Sequence, residues 1–202
     1  MANRKSKKVT AKKTRGGRRS KTKGADFERL ICKELSLWVS EGETNNLFWR
    51  SSQSGGRATT LQKKGENLSI QAGDIAAIDS QGEAFTELFF VECKRYKKLN
   101  LDTLFYDMVG EIGPMWDKCK QQAKQHGKLP MLICKENARD LLVFLSSEGL
   151  KGCYSICSFP SKSLFVYSFN TLLSADPKKF ITRSKRVLSK QIKLPSKKRQ
   201  RL

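Results

Sequence analysis

The sequence predicts an α/β fold in which a mixed β-sheet is flanked by helices, and three observations predict it. Segments with helical and strand periodicity alternate in the order helix, strands, helix, strands between residues 25 and 169. An apolar run, Leu88 to Val91, is continuous rather than alternating, which marks a central strand buried on both faces. The formal net charge of +21 sits at the ends of the chain and leaves a near-neutral body able to fold around a core.

Residues 1–24 hold 11 Lys/Arg and no acid, and residues 178–202 hold another 11 and no acid, so residues 25–177 keep 18 basic residues against all 19 acids. Both ends are low in apolar residues and are expected to be disordered basic tails. The length of 202 residues suits one domain. The expected division is a tail over 1–24, a core over 25–145, a β-rich C-terminal extension over 146–177 and a second tail over 178–202. Two cationic arms on a neutral body are the footprint of a protein that meets a polyanion, DNA before all others. A solubilising role or an import address is the bland alternative.

From Ala25 to Val39, Phe27, Leu30, Ile31, Leu35 and Trp38 recur at helical spacing, with Asp26 and Glu28 in the first turn, where the helix dipole favours acids. Leu47 to Arg50 reads as a short strand, followed by a polar loop to about Ser69. Asp74 to Ile78 and Phe85 to Lys94 read as two strands, and Ser80-Gln81-Gly82-Glu83 between them has turn composition, so a β-hairpin is expected. Leu101 to Val109 is weakly helical. A helix starts at Pro114 and ends at Gly127, with Met115, Trp116, Cys119 and Ala123 on its apolar face. Strands follow at Leu129–Cys134 and Leu141–Leu145, then around Cys153–Phe159 and Leu164–Phe169.

In the strand ending Val91-Glu92-Cys93-Lys94, side chains alternate, so Glu92 and Lys94 share a face. A hairpin would bring Asp74, at the start of the preceding strand, beside Glu92. Two carboxylates held close repel unless one is protonated or a cation lies between them. Mg²⁺ takes oxygen ligands and commonly uses one or two carboxylates plus phosphate oxygens, which suits Asp74 and Glu92. Lys94 is then placed to orient or help deprotonate an attacking water and to stabilise charge on a phosphate. Glu28 shares a stripe with Ile31, Cys32 and Leu35 and either reaches the metal through a water or balances the dipole and pairs with a base.

Gly73-Asp74 followed by Val91-Glu92-Cys93-Lys94 resembles the signature of the PD-(D/E)XK, or restriction-endonuclease-like, nuclease superfamily, with Glu28 in the place of its helix-one glutamate. Gly73 stands where that signature usually has proline. The order Lys23-Gly24, Phe27-Glu28-Arg29, Arg50-Ser51, Ser54-Gly55-Gly56, Gly73-Asp74 and Glu92-Cys93-Lys94 is most similar to archaeal-type Holliday-junction resolvases and their phage relatives, over roughly residues 23–145. The resemblance implies phosphodiester hydrolysis by water with Mg²⁺ or Mn²⁺, a structure-selective DNA endonuclease of recombination, repair or phage DNA processing, and a homodimer. A catalytically inactive DNA-binding or architectural protein of the same fold is the alternative, against which the intact Asp74, Glu92 and Lys94 stand.

Arg50, Ser51, Ser54 and Arg57 sit in or beside a loop that could grip phosphates, and Lys120, Lys124 and Lys128 recur at four-residue steps as a basic stripe. Gln122 is expected to be a satisfied amide at the core edge, the alternative implied by the resemblance being a helix glutamine that approaches the active site, and Trp38 and Trp49 are expected to be core. His126, in the last turn of its helix, is assigned no catalysis. Six dispersed cysteines read as reduced thiols, and one histidine leaves little for a zinc site. With no membrane-spanning apolar run, the expected location is the cytoplasm of a bacterial or phage-infected cell. Residues 194–201 would also pass for a nuclear import signal in a eukaryote.

Overall fold

The computed structural model describes residues 15–51, 72–100, 110–146, 150 and 152–193, with side chains from residue 22 to 192. In chain order the elements are α1 (Arg15–Val39), β1 (Phe48–Arg50), β2 (Ile75–Ala77), α2 (Ser80–Leu88), β3 (Phe89–Tyr96), α3 (Ile112–Gln125), β4 (Leu129–Glu136), β5 (Leu141–Ser146), β6 (Cys157–Phe159), β7 (Leu164–Ser168), α4 (Phe169–Leu173) and α5 (Pro177–Lys193). A five-stranded sheet runs β3-β4-β5-β7-β6, with β3 and β4 parallel and the other pairs antiparallel, and β1 and β2 form a separate antiparallel ribbon. This is the mixed, helix-flanked sheet the sequence predicts. The segment after Leu145 completes that sheet, β7 pairing with both β5 and β6.

Alternation along the strands divides the core in two. Phe89, Val91 and Cys93 of β3 join Met131, Ile133, Val143 and Leu145 under α1 and α5, while Phe90, Leu132, Cys134, Phe144 and Val166 pack against Ile112, Trp116, Cys119 and Ala123 of α3. Phe27, Ile31, Leu35 and Trp38 of α1 are buried as their spacing requires, but Leu30 is 49% exposed and lies off that stripe. Helix α1 begins at Arg15, so its first turns occupy part of the expected tail. Lys and Arg are good helix formers, and extending a helix already nucleated on a packed stripe costs little.

The expected hairpin is replaced by a helical crossover. Asp79 caps α2, its carboxylate accepting from Gln81 N–H at 2.9 Å, and the Ser80-Gln81-Gly82-Glu83 run is the first turn of the helix. Cap and turn share a composition, because short polar side chains bond nearby backbone in both. Phe85 and Leu88 are buried on α2, and Gly82 lets it approach Phe48, whose ring a Cβ would meet at 2.9 Å. Helix α3 starts two residues before Pro114 and closes at Gly127, whose φ is +64. The weak helix expected over 101–109 lies outside the described residues.

The second expected tail is also corrected, since α5 spans Pro177–Lys193 with Phe180, Ser184 and Val187 buried. Those positions stand at i, i+4 and i+7, a buried stripe that the surrounding lysines and arginines obscure in a composition count. Phe180 stacks on Phe89 at a centroid distance of 5.3 Å and meets Trp38 edge-on at 5.4 Å.

Candidate active site

The site is built at the free edge of β3. Gly73 forms a parallel bridge to Val91, and Asp74 N–H donates to Val91 O at 2.8 Å. The approach is close enough to demand glycine: φ is +97 and a Cβ would lie 2.6 Å from the Val91 carbonyl oxygen. Asp74 therefore reaches Glu92 through a parallel bridge, although the hairpin that led to the same expectation is absent. On its other side, Ser51 N–H donates to Asp74 O at 2.8 Å and closes the β1-β2 ribbon over the site.

Asp74 is buried, and its Oδ2 accepts Cys93 N–H at 2.8 Å. Lys94 Nζ lies 4.0 Å from that oxygen and is ion-paired with Glu92 Oε1, as the shared face of Glu92 and Lys94 predicts. Burial, then the charge of Glu92, push the Asp74 carboxyl up to about 7 against the opposing pull of Lys94. Burial alone would lower Lys94, but Glu92 and Asp74 outweigh it and hold the amine above its usual range. The arrangement is a triad of two crowded carboxylates and one ammonium.

Glu28 comes from α1, where its side chain is 13% exposed and Arg50 Nε donates to Oε2 at 2.8 Å. Its charge is among those that raise Asp74. The register of this pair is set by Ser36, fully buried, which donates to Cys32 O at 2.7 Å and accepts the N–H groups of Leu47 and Phe48 at 3.0 and 3.1 Å. Nothing in the pattern of apolar residues signals that clamp. A serine inside a helical apolar stripe was its only trace.

The other sequence-predicted residues divide. Arg50 is engaged with Glu28, and Ser51 is buried beside Asp74 rather than displayed. Ser54 and Arg57 lie outside the described residues. Lys120 pairs with Asp117 at 3.0 Å and Lys124 is exposed, but Lys128 is buried with Nζ donating to Thr86 O at 2.6 Å, so the three do not form one stripe. Trp38 is core as expected, whereas Trp49 is 52% exposed because β1 turns Phe48 inward instead. Gln122 Oε1 is buried without a hydrogen-bond partner among the described residues, not the satisfied amide its position suggested. His126 stacks on Phe90 at 5.8 Å. The six cysteines are free, and burial raises Cys32 and Cys134 to about 12, which leaves no reactive thiolate there.

A family model described as "Phage putative PDDEXK endonuclease" matches residues 19–180. The chain belongs to this family. The match runs from α1 into the first turn of α5 and so contains Glu28, Asp74, Glu92 and Lys94 on one continuous core. No curated protein and no solved structure matches the chain significantly. The family is described as one of endonucleases, and the matched range spans the segments that the fold brings together at the β3 edge. Among the described residues no helix is long and apolar enough to cross a membrane, and no group of three or more His, Cys, Asp and Glu side chains is placed to hold a metal ion, so Glu28 does not join Asp74 and Glu92 in one ligand cluster.

Proposed function

We propose that this member of the family is a divalent-metal-dependent DNA endonuclease whose active site is Asp74, Glu92 and Lys94, with Glu28 behind them. One observation carries the reading: two carboxylates, Asp74 buried and Glu92 partly so, converge on one lysine at the edge of β3, where burial first and the charge of Glu92 second raise Asp74 to about 7. Charges are costly to bury, and this crowding fits a site made for a cation and a phosphate rather than for stability. Two carboxylates suit Mg²⁺, or Mn²⁺ in its place, because such ions keep water and take substrate oxygens for the remaining positions. Asp74 and Glu92 would hold the ion, which when bound supplies Lewis-acid polarisation of the phosphate and an activated water.

Lys94 keeps its proton between the two acids, orients the attacking water and stabilises charge developing on the scissile phosphate. Cys93 N–H fixes the Asp74 carboxylate through Oδ2, so the group is held in place before substrate arrives. Glu28, tied to Arg50, contributes negative charge to the site and would reach the ion through a water. The similarity to resolvases supports a branched substrate, and with it a homodimer.

The test is incubation of the full chain with labelled linear, flap and four-way-junction DNA in Mg²⁺, in Mn²⁺ or in chelator. Metal-dependent cutting that favours branched DNA supports the whole reading. Cutting without preference removes the structure selectivity and keeps the nuclease. Binding without cutting under every condition replaces it with a non-catalytic DNA-binding protein.

A further inference from the structure

We propose that the outward face of α5 is a phosphate-binding surface that grips duplex DNA flanking the cleaved site. The inference rests on the DNA reading above. Helix α5 carries seven Lys/Arg and no acid over its 17 residues. Phe180, Ser184 and Val187 are buried on its inner face and Phe180 packs on Trp38 and Phe89, so the charges opposite are presented on a packed helix rather than on a loose tail.

Lys179, Arg183, Arg186 and Lys190 are exposed and recur at steps of four, three and four along one side of the helix. At 1.5 Å per residue this stripe is about 16 Å long, roughly the rise of five base pairs, each of which presents two phosphates. Lys178, Lys179, Thr182, Arg183 and Arg186 line a depression of about 290 Å³. A water occupies about 30 Å³ of liquid, so this depression has room for a phosphate and its bridging waters.

Some of these bases already have partners, among them Lys178 with Glu41 at 2.9 Å and Lys179 with Asp176 at 3.2 Å. Both pairs are exposed, and such pairs contribute little, so exchanging a carboxylate for a phosphate there is cheap. The body over 25–177 carries 18 basic residues against 19 acids, so long-range attraction to DNA must come from the ends of the chain. Phe180 anchors the helix at Phe89, the first residue of β3, and Lys94 lies five residues further along. That is about 17 Å of strand, a distance that a bound duplex spans within one helical turn. The family match ends at residue 180, so most of the stripe lies beyond the matched core.

The test uses the full chain with Lys179, Arg183, Arg186 and Lys190 all changed to Gln, beside wild type. A second variant exchanges Lys for Arg and Arg for Lys at the same four positions. Binding to a labelled linear duplex is followed by anisotropy in chelator across a salt series, and cleavage is measured at saturating enzyme with metal. The Gln variant is expected to flatten the slope of log affinity against log salt by up to about 3.6 units, since each of the four phosphate contacts contributes about 0.9. Its cleavage at saturation and the slope of the exchanged variant should match wild type. A wild-type slope in the Gln variant, with wild type binding and cutting, overturns this inference alone. A flattened slope in the exchanged variant also overturns it, by tracing the loss to the helix rather than to its charge. If wild type neither binds nor cuts any DNA, the functional reading fails first and this inference with it.

Discussion

Asp74 Oδ2 accepts the backbone N–H of Cys93 at 2.8 Å, so the first carboxylate of the site is bonded to the strand that carries the second. The bond joins two chain segments across the free edge of β3, and it places Glu92 and Lys94, the residues on either side of Cys93, around Asp74. A side chain fixed in this way loses little freedom when substrate binds.

Asp74→Asn and Glu92→Gln are expected to lower cleavage by about a thousandfold, the equivalent of the several kcal/mol that metal-assisted charge stabilisation supplies. DNA affinity in chelator should hold or rise, because a carboxylate facing phosphate has been neutralised. Single-turnover cleavage alongside anisotropy separates the two effects. Wild-type cutting by either variant would remove that residue from the active site.

Glu28→Gln should cost less, about ten- to a hundredfold, as expected of a group that acts through a water or another ligand. Arg50→Gln should cost a similar factor, and the double variant should cost no more than either alone, because the two act as one pair at 2.8 Å. Additive losses would show that Arg50 works separately from Glu28, on the DNA itself.

Gly73→Pro restores the residue usual in the superfamily signature and should nevertheless destabilise the protein. Proline fixes φ near −65°, against the +97 found here, and any Cβ meets the Val91 carbonyl oxygen at 2.6 Å. The expected loss is about 2–3 kcal/mol or more in urea unfolding, with cleavage falling alongside. Gly73→Ala should behave in the same direction. An unchanged midpoint in both would mean that the Gly73–Val91 bridge is not formed.

The core of this arrangement was legible in the sequence because its signals are local. Glu92 and Lys94 share a face by strand alternation, and Asp74 borders an apolar segment, so their convergence could be expected even though the connecting element was misread. The hairpin failed because Asp79 to Glu83 has a composition that serves a turn and a helix cap equally, and only the burial of Phe85 and Leu88 distinguishes them. Phe180, Ser184 and Val187 form an equally local stripe, but charge dominates the composition around them and hid the helix. The Ser36 clamp and the Glu28–Arg50 pair depend on contacts between segments far apart in sequence, which no local pattern encodes.

The metal-free protein should lose stability as pH rises. Asp74 has a folded-state pKa of about 7, above the ordinary value of 3.8, so the folded chain holds its proton more tightly than the unfolded chain. Its contribution is full below pH 3.8 and is lost progressively as pH climbs to about 7. Thermal unfolding in chelator at pH 5 and pH 8 should show the higher midpoint at pH 5, and Asp74→Asn should reduce that difference. Adding Mg²⁺ should raise the midpoint most at pH 8, where Asp74 has lost its proton. Equal midpoints in chelator at the two pH values would contradict the crowding of Asp74 and Glu92.

The final expectation separates α5 from the residues beyond it. Phe180 is 3% exposed, stacked on Phe89 and set edge-on to Trp38, so it closes the core between β3 and α1. Removing a buried phenyl ring costs about 3–5 kcal/mol, counting both the lost transfer energy and the cavity left behind. Phe180→Ala should therefore lower the urea midpoint strongly. A chain ending at Asp176 should lose more, because Ser184 and Val187 are also buried. A chain ending at Lys193 keeps the whole helix and should unfold at the wild-type midpoint while still cutting DNA at saturation. The two truncations thus divide the 11 basic residues of 178–202 into those on a structural helix and those past its end. If the chain ending at Asp176 were as stable as wild type, α5 would be an appendage, and its rigid charged face would have no basis.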